Sequence, residues 1–327
     1  MTVEVHGDDR LAARLEELLG PRHPVAAAAV VRPSGTVVAC RGTGPDSDFE
    51  IGSISKGVTG LLYADALARG EIGPDTTLGA LLPLDGAAAA AVTLSSLSTH
   101  RSGLPTLAPS AHSWRRTVAL WWRGANPYGE NLAQLLDQAR SVRLGRPVPR
   151  YSNLGFELLG HALARAADTT YADLLHRRVA APLGLEHCSV PASADHLRPG
   201  ALTGTSRRGR PVEPWTGEAL GPAGGIRASV TDLARLTGAL LAGTAPGTAA
   251  LEPVASFGSA ARIGAAWITV QAQGRSVTWH NGGTGGFRSW LGIDRTAATG
   301  VVVLSATARS VDRPGFALLA EYGGAGR

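Results

Sequence analysis

Alternating apolar stretches stand at the two ends of this chain and almost nowhere between, and no other feature constrains its fold as much. Near the start, "VAAAAVVRPSGTVVACRG" (residues 25–42) reads as two strands around a Pro-Ser-Gly turn. Near the end, "IGAAWITVQAQGRSVTWHNGG" (263–283), "SWLGID" (289–294) and "GVVVLSAT" (300–307) read as three neighbouring antiparallel strands. The long stretches between are helical: "SISKGVTGLLYADALARGEI", with Gly70 closing it, then "NLGFELLGHALARAA" and "YADLLHRRVAAPLGL". "LAARLEELLG" and "RPGFALLAEYG" add a helix at each end. Strands at both ends share one sheet only if the helical middle is looped out as an insertion. The expected fold class is α+β, an antiparallel sheet flanked by helices with an inserted all-helical domain. The predicted boundaries are 1–78 with 206–327 for the sheet-bearing α/β domain and 79–205 for the helical one.

With 327 residues the chain can bury a large core, and its net charge of +5 invites a nucleic-acid reading. The arginines, however, are scattered. Their densest run, "RRGR" at Arg207–Arg210, sits in a Gly- and Pro-rich loop. Without a zinc-finger spacing, an RNP-like motif or a basic helix it reads as solvated surface, and no nucleic-acid partner is expected. Cys40 and Cys188 are too far apart for a framework and the nine histidines form no HxxxH pair, so no metal or cofactor is expected. No window approaches the ~18 apolar residues of a membrane span. The opening "MTVEVHGDDRLAARLEELLG" carries acids and an amphipathic period where an export signal needs basic residues and an apolar run, so a cytoplasmic location is expected.

Of the 31 long cations, thirty are arginine and one is lysine, Lys56 in "FEIGSISKGVTG". Ser53 lies three residues before it, on the same helical face and within reach. A serine hydroxyl is a weak nucleophile until a base takes its proton. Lysine becomes such a base when burial lowers its pKa, whereas arginine does not deprotonate in proteins. Ser53 also falls at the start of its helix, where free N–H groups and the dipole favour a developing anion. Alone the spacing is weak evidence, because 22 serines put one there by chance in about 7% of such chains.

Two further groups strengthen it. Tyr151-Ser152-Asn153 precede a predicted helix, and His280-Asn281-Gly282-Gly283 end a predicted strand. Taken singly, Asn153 reads as a helix cap and His280 as an ordinary strand histidine. Taken with the serine and lysine, they make the chain resemble the serine β-lactamase and penicillin-binding-protein superfamily, which carries S-x-x-K, Y-x-N and K/H-x-G in this order. The nearer likeness is to class C β-lactamases, D-Ala-D-Ala carboxypeptidases, D-aminopeptidases and related esterases and acyltransferases. "LSSLSTHRSGLP", "PLGLEHCSV" and "GPAGGIRASVTDLARL" are similar to further landmarks of that family, so the resemblance covers nearly the full length.

The resemblance implies a β-lactamase/transpeptidase-like fold and acyl transfer through a covalent serine ester. It makes Ser53 the nucleophile, Lys56 its proton acceptor and Tyr151 a second acid/base group, leaving open which of the last two takes the first proton. It makes Asn153, Asn281 and Gly282 substrate-binding, and gives His280 a hydrogen bond and a tunable charge near Tyr151. The backbone N–H groups of Ser53 and Gly283 become the oxyanion hole. Trp114, Trp121 and Trp122 share one helical face, read either as core or as the wall of an acyl-binding cleft for Trp121 and Trp122.

The expected function is a cytoplasmic serine hydrolase or acyltransferase acting on an ester, thioester or amide. Its substrate would be a small-molecule or peptide acyl group, or an acyl donor borne on a carrier protein in secondary metabolism. A D-amino-acid-specific peptidase or β-lactamase, and a non-catalytic binding protein on the same fold, are the alternatives. Lys56→Arg is expected to keep the fold and cost most of the acylation rate.

Overall fold

The computed structural model describes residues 5–108, 124–272 and 274–324. Nine antiparallel strands form one sheet: β1 (Val5–Gly7), β2 (Ala26–Arg32), β3 (Gly35–Arg41), β6 (Ala255–Phe257), β7 (Ala261–Ile263), β8 (Ile268–Ala272), β9 (Arg275–Gly283), β10 (Arg288–Asp294) and β11 (Thr299–Ser305). The order β1-β3-β2-β11-β10-β9-β8-β7-β6 places the N-terminal hairpin against the last strand of the chain. Ala26 pairs with Ser305 and Val31 with Gly300, so the two ends of the sequence meet at the middle of the sheet. The predicted segment 263–283 is not one strand but the hairpin β8–β9, and two short strands, β7 and the edge strand β6, extend the sheet beyond it. "ASF" and "ARI" are too short and too polar to show a period of two.

Side-chain alternation divides the strands between two layers of helices. Ala26, Ala28, Val30, Val301 and Val303 face a cluster with Leu11, Leu15, Leu318 and Leu319, from α1 (Asp9–Leu19) and the C-terminal helix Asp312–Gly324. Ala27, Ala29, Val302 and Leu304 face the larger core. That core continues through α2 (Ile54–Ala68), α3 (Asn153–Ala166) and α4 (Val230–Ala242). Covered on both faces, β2 and β11 read as unbroken apolar runs instead of alternating ones. α2 is buried from Ile54 to Ala66 on every side, which marks it as the central helix. Among the described residues no helix is long and apolar enough to cross a membrane.

A second, two-stranded pairing joins β4 (Phe49–Glu50) to β5 (Arg227–Ala228), just before α2. Arg227, 1% exposed, clamps it by donating from Nε to Asp48 at 2.8 Å and from Nη1 to Glu50 at 3.1 Å. Those carboxylates also accept from the backbone N–H groups of Leu202 and Trp215. Arg227→Met would strand two buried acids, so a loss of about 3–5 kcal/mol is expected in urea unfolding. An unchanged midpoint would contradict this account of the clamp.

Candidate active site

The chain turns from β4 into α2 through Gly52, whose φ of +51° is a conformation that a side chain rarely tolerates. A Cβ on Gly52 would lie 2.5 Å from the backbone nitrogen of Gly283. A Cβ on Gly282 would overlap the Ile51 carbonyl and the Ser289 hydroxyl. Two glycines thus let the nucleophile turn lie directly on the end of β9, and Ser289 Oγ pins the contact by donating to Ile51 O at 2.6 Å. Ser53 caps α2 with helical backbone angles, and its side chain makes no capping bond.

The free hydroxyl meets Lys56, whose Nζ lies 3.1 Å from Ser53 Oγ and 2.5 Å from the carbonyl of Ala223. Lys56 has no exposed surface. Burial lowers its pKa from 10.5 to about 7, against the opposing pull of the Glu157 carboxyl. Burial likewise raises Glu157 to about 8, with Lys56 opposing. Near neutrality the amine therefore spends much of its time uncharged. It then holds Ala223 O with one N–H and offers its lone pair to the Ser53 hydroxyl.

Tyr151 stands over this pair, with Lys56 Nζ 4.9 Å from its ring centroid. Burial raises its phenol pKa, with the neighbouring Ser53 hydroxyl opposing, so it keeps its proton. His100 flanks Tyr151 at 4.5 Å between ring centroids and accepts the Ser152 N–H on Nδ1 at 3.2 Å. His100 holds a left-handed backbone with φ +57°. No role for it follows from residue spacing, although it lies inside the quoted "STHRSGLP"; its place beneath Tyr151 is a tertiary fact. Ser152, not Asn153, caps α3, accepting from Gly155 N at 2.9 Å. Asn153 is left to donate to Tyr128 Oη at 3.2 Å, with its buried Oδ1 unpartnered.

His280 departs from the sequence expectation. Its Nδ1 is 2.6 Å from the Asn281 carbonyl, an acceptor only, so Nδ1 carries the hydrogen. Complete burial, and secondarily the Lys56 charge, lower its pKa to about 4. It is a neutral imidazole at ordinary pH with an unpartnered Nε2, not a tunable charge.

A cavity of about 1010 Å³ opens on this corner, lined by Ser53, Tyr151, Trp215, Asn281, Gly282 and Gly283 among others. Lys56, Asn153 and His280 are absent from its wall. Asn281 reaches the wall with its amide committed to Asp312 at 3.1 Å. Arg207, Arg208 and Arg210, taken from sequence as solvated surface, line the same cavity. Trp114, Trp121 and Trp122 lie outside the described residues. Among the described residues no group of three or more His, Cys, Asp or Glu side chains is placed to hold a metal ion.

The model of the Beta-lactamase family matches residues 11–322. The chain belongs to the beta-lactamase family of serine hydrolases. This beta-lactamase-family protein is 30% identical over 159 residues to the D-alanyl-D-alanine-carboxypeptidase/endopeptidase AmpH of Escherichia coli K12, covering 47% of the chain and 39% of AmpH. It is 30% identical over 191 residues to a beta-lactamase of Providencia stuartii, covering 57% of the chain and 45% of the relative. The matched region thus spans less than half the length of these curated relatives. Among solved structures, a class C beta lactamase from Rhodobacter sphaeroides superimposes with a TM-score of 0.78 at 22% identity, over 97% of this chain and 99% of that one. D-alanine carboxypeptidase AmpC from Burkholderia cenocepacia gives 0.79 at 21%, over 97% and 99%. At these identities the likeness establishes the β-lactamase/transpeptidase fold.

Proposed function

We propose that this protein hydrolyses or transfers acyl groups through a covalent ester on Ser53, with Lys56 as the first base. The observation that carries this reading is a fully buried amine, its pKa brought to about 7, lying 3.1 Å from the serine hydroxyl. Ser53 Oγ bonds to the carbonyl carbon of an ester, thioester or amide as its proton passes to Lys56 Nζ. The carbonyl oxygen gathers negative charge facing the N–H groups of Ser53 and Gly283, where fixed donors are worth a few kcal/mol each. The bond to the leaving group then breaks, and the proton on Lys56 reaches that group through the Tyr151 hydroxyl. Tyr151 suits a relay because it gives one proton as it takes another and is held protonated between turnovers. Water, or another acceptor, attacks the ester by the reverse route. Asn153 Oδ1 and His280 Nε2, buried without a partner and absent from the cavity wall, make no substrate contact in this reading; His280 lies behind Tyr151, 6.5 Å between ring centroids.

The names of the relatives and structural neighbours support amides of D-alanine and β-lactams as members of the substrate class alongside simple esters. Mass spectrometry after incubation with a p-nitrophenyl ester, a penicillin and a D-alanyl-D-alanine peptide tests the reading. An acyl adduct on Ser53 is expected with at least one of them. Its rate of formation should rise with pH through about 7, as Lys56 loses its proton, and show no separate step near 6, because burial moves His280 down to about 4. No adduct with any, or an adduct persisting in Ser53→Ala, would overturn it.

A further inference from the structure

The cavity above Ser53 holds four cations that the acyl chemistry leaves unused. Arg207, Arg208 and Arg210 come from one turn and Arg288 from the first residue of β10, and all four line the wall with Ser53. The only acid in that described wall is Asp312, whose carboxylate already holds Asn281.

The turn is a built one. Ser206 N donates to Arg210 O at 2.8 Å, Gly209 N to Ser206 O at 2.9 Å, and Arg210 N to Ser206 Oγ at 3.2 Å. Arg207 is anchored by Nε to Ala308 O at 3.1 Å, while Arg309 holds the Arg207 carbonyl. Arg288 spends Nη1 on the carbonyls of Thr284 and Phe287, and among the described residues Nε and Nη2 have no hydrogen-bond acceptor. Its guanidinium lies against Gly283, where a Cβ would come 2.9 Å from Nη1. It therefore sits beside the N–H assigned to the oxyanion. Arg288 is mostly removed from water and feels the charge of Arg207, with Asp312 opposing. Half-buried Arg288 beside the exposed Arg207 is a like-charge contact that is unfavourable until an anion joins them.

We propose that this wall is a subsite for a substrate group bearing two or more negative charges, a phosphate or a pair of carboxylates. Arg288 seats it next to the reacting carbonyl, and Arg207, Arg208 and Arg210 gather it at the mouth. A single carboxylate is met by one guanidinium fork, so one charge does not account for four arginines. The inference rests on the acyl-Ser53 reading above and narrows its substrates to acyl compounds with a polyanionic portion.

Two matched pairs of thioesters test it, each pair sharing its acyl group and reacting sulfur. Butyryl-4′-phosphopantetheine against butyryl-pantetheine varies phosphate, and S-butyryl-mercaptosuccinate against its neutral diamide varies carboxylate. In at least one pair the charged member is expected to show kcat/KM about 100-fold above its neutral partner at low salt. The pair that responds identifies the source of the anion. That ratio should fall about tenfold or more in the exposed double variant Arg207→Ser/Arg210→Ser and in Arg288→Gln, and should shrink as salt is added. Ratios near one in both pairs, with Ser53 acylated by the neutral members, would overturn the subsite alone. No Ser53 adduct from any of the four, or from an activated p-nitrophenyl ester, would overturn the acyl-serine reading and the subsite with it.

Discussion

Lys56→Met is expected to slow acylation of Ser53 about a thousandfold and, in the same variant, to raise stability. The rate falls because the amine 3.1 Å from Ser53 Oγ is gone, while the unbranched Met side chain fills the same space. Stability rises because a lysine whose pKa drops from 10.5 to about 7 on folding works against the fold. That penalty grows as pH falls from 10.5 towards 7 and levels off below, so the gain should follow the same course. Allowing for the Ala223 carbonyl left unpaired, the net gain at pH 7 is roughly 2 kcal/mol. Urea unfolding at pH 6, 7.5 and 9 measures it. A variant that is both inactive and less stable at every pH would show that Lys56 is a structural cation. The isocharge change Lys56→Arg is not the conservative test that the sequence suggested. With no exposed surface at residue 56, a permanent charge and a larger head would disturb the fold together with the chemistry.

Gly52→Ala is expected to cost about 100- to 1000-fold in the acylation rate, the effect of losing an oxyanion donor. The new methyl would lie 2.5 Å from Gly283 N, so either the nucleophile turn or the end of β9 must shift. Either shift separates the N–H groups of Ser53 and Gly283. The positive φ adds about 1–2 kcal/mol of strain. Because the site and not the core absorbs the movement, KM for a neutral ester should change less than kcat. Wild-type kcat in a folded Gly52→Ala protein would remove Gly283 from the oxyanion hole.

Much of the site was legible because its pieces are local. Ser53 and Lys56 share a helical face by spacing alone, and the glycines after His280 mark a backbone that something must approach closely. Asn153 was open between cap and ligand until Ser152 was seen to take the cap. His100 was missed because nothing in "STHRSGLP" states that the imidazole lies under Tyr151, fifty-one positions away. "RRGR" is exposed, as the sequence reading expected, but its place at the rim of the Ser53 cavity was not legible for a related reason. An arginine run looks the same from sequence whether it faces bulk water or a cavity, and only its neighbours decide.

By itself the sequence determined the fold class, the strands drawn from both ends, and the order serine, lysine, tyrosine, histidine. All of these depend on periodicity and short spacings, which the backbone imposes locally. Tertiary structure alone decided what those residues can do: that Lys56 is dry enough to be a base, that His280 is neutral, and that Gly52 and Gly282 bring Ser53 onto β9. It also decided that four arginines share the cavity of Ser53. Burial, dielectric and close approach are properties of what packs around a residue, and here a packing partner such as Ser289 lies 238 residues from Ile51 along the chain.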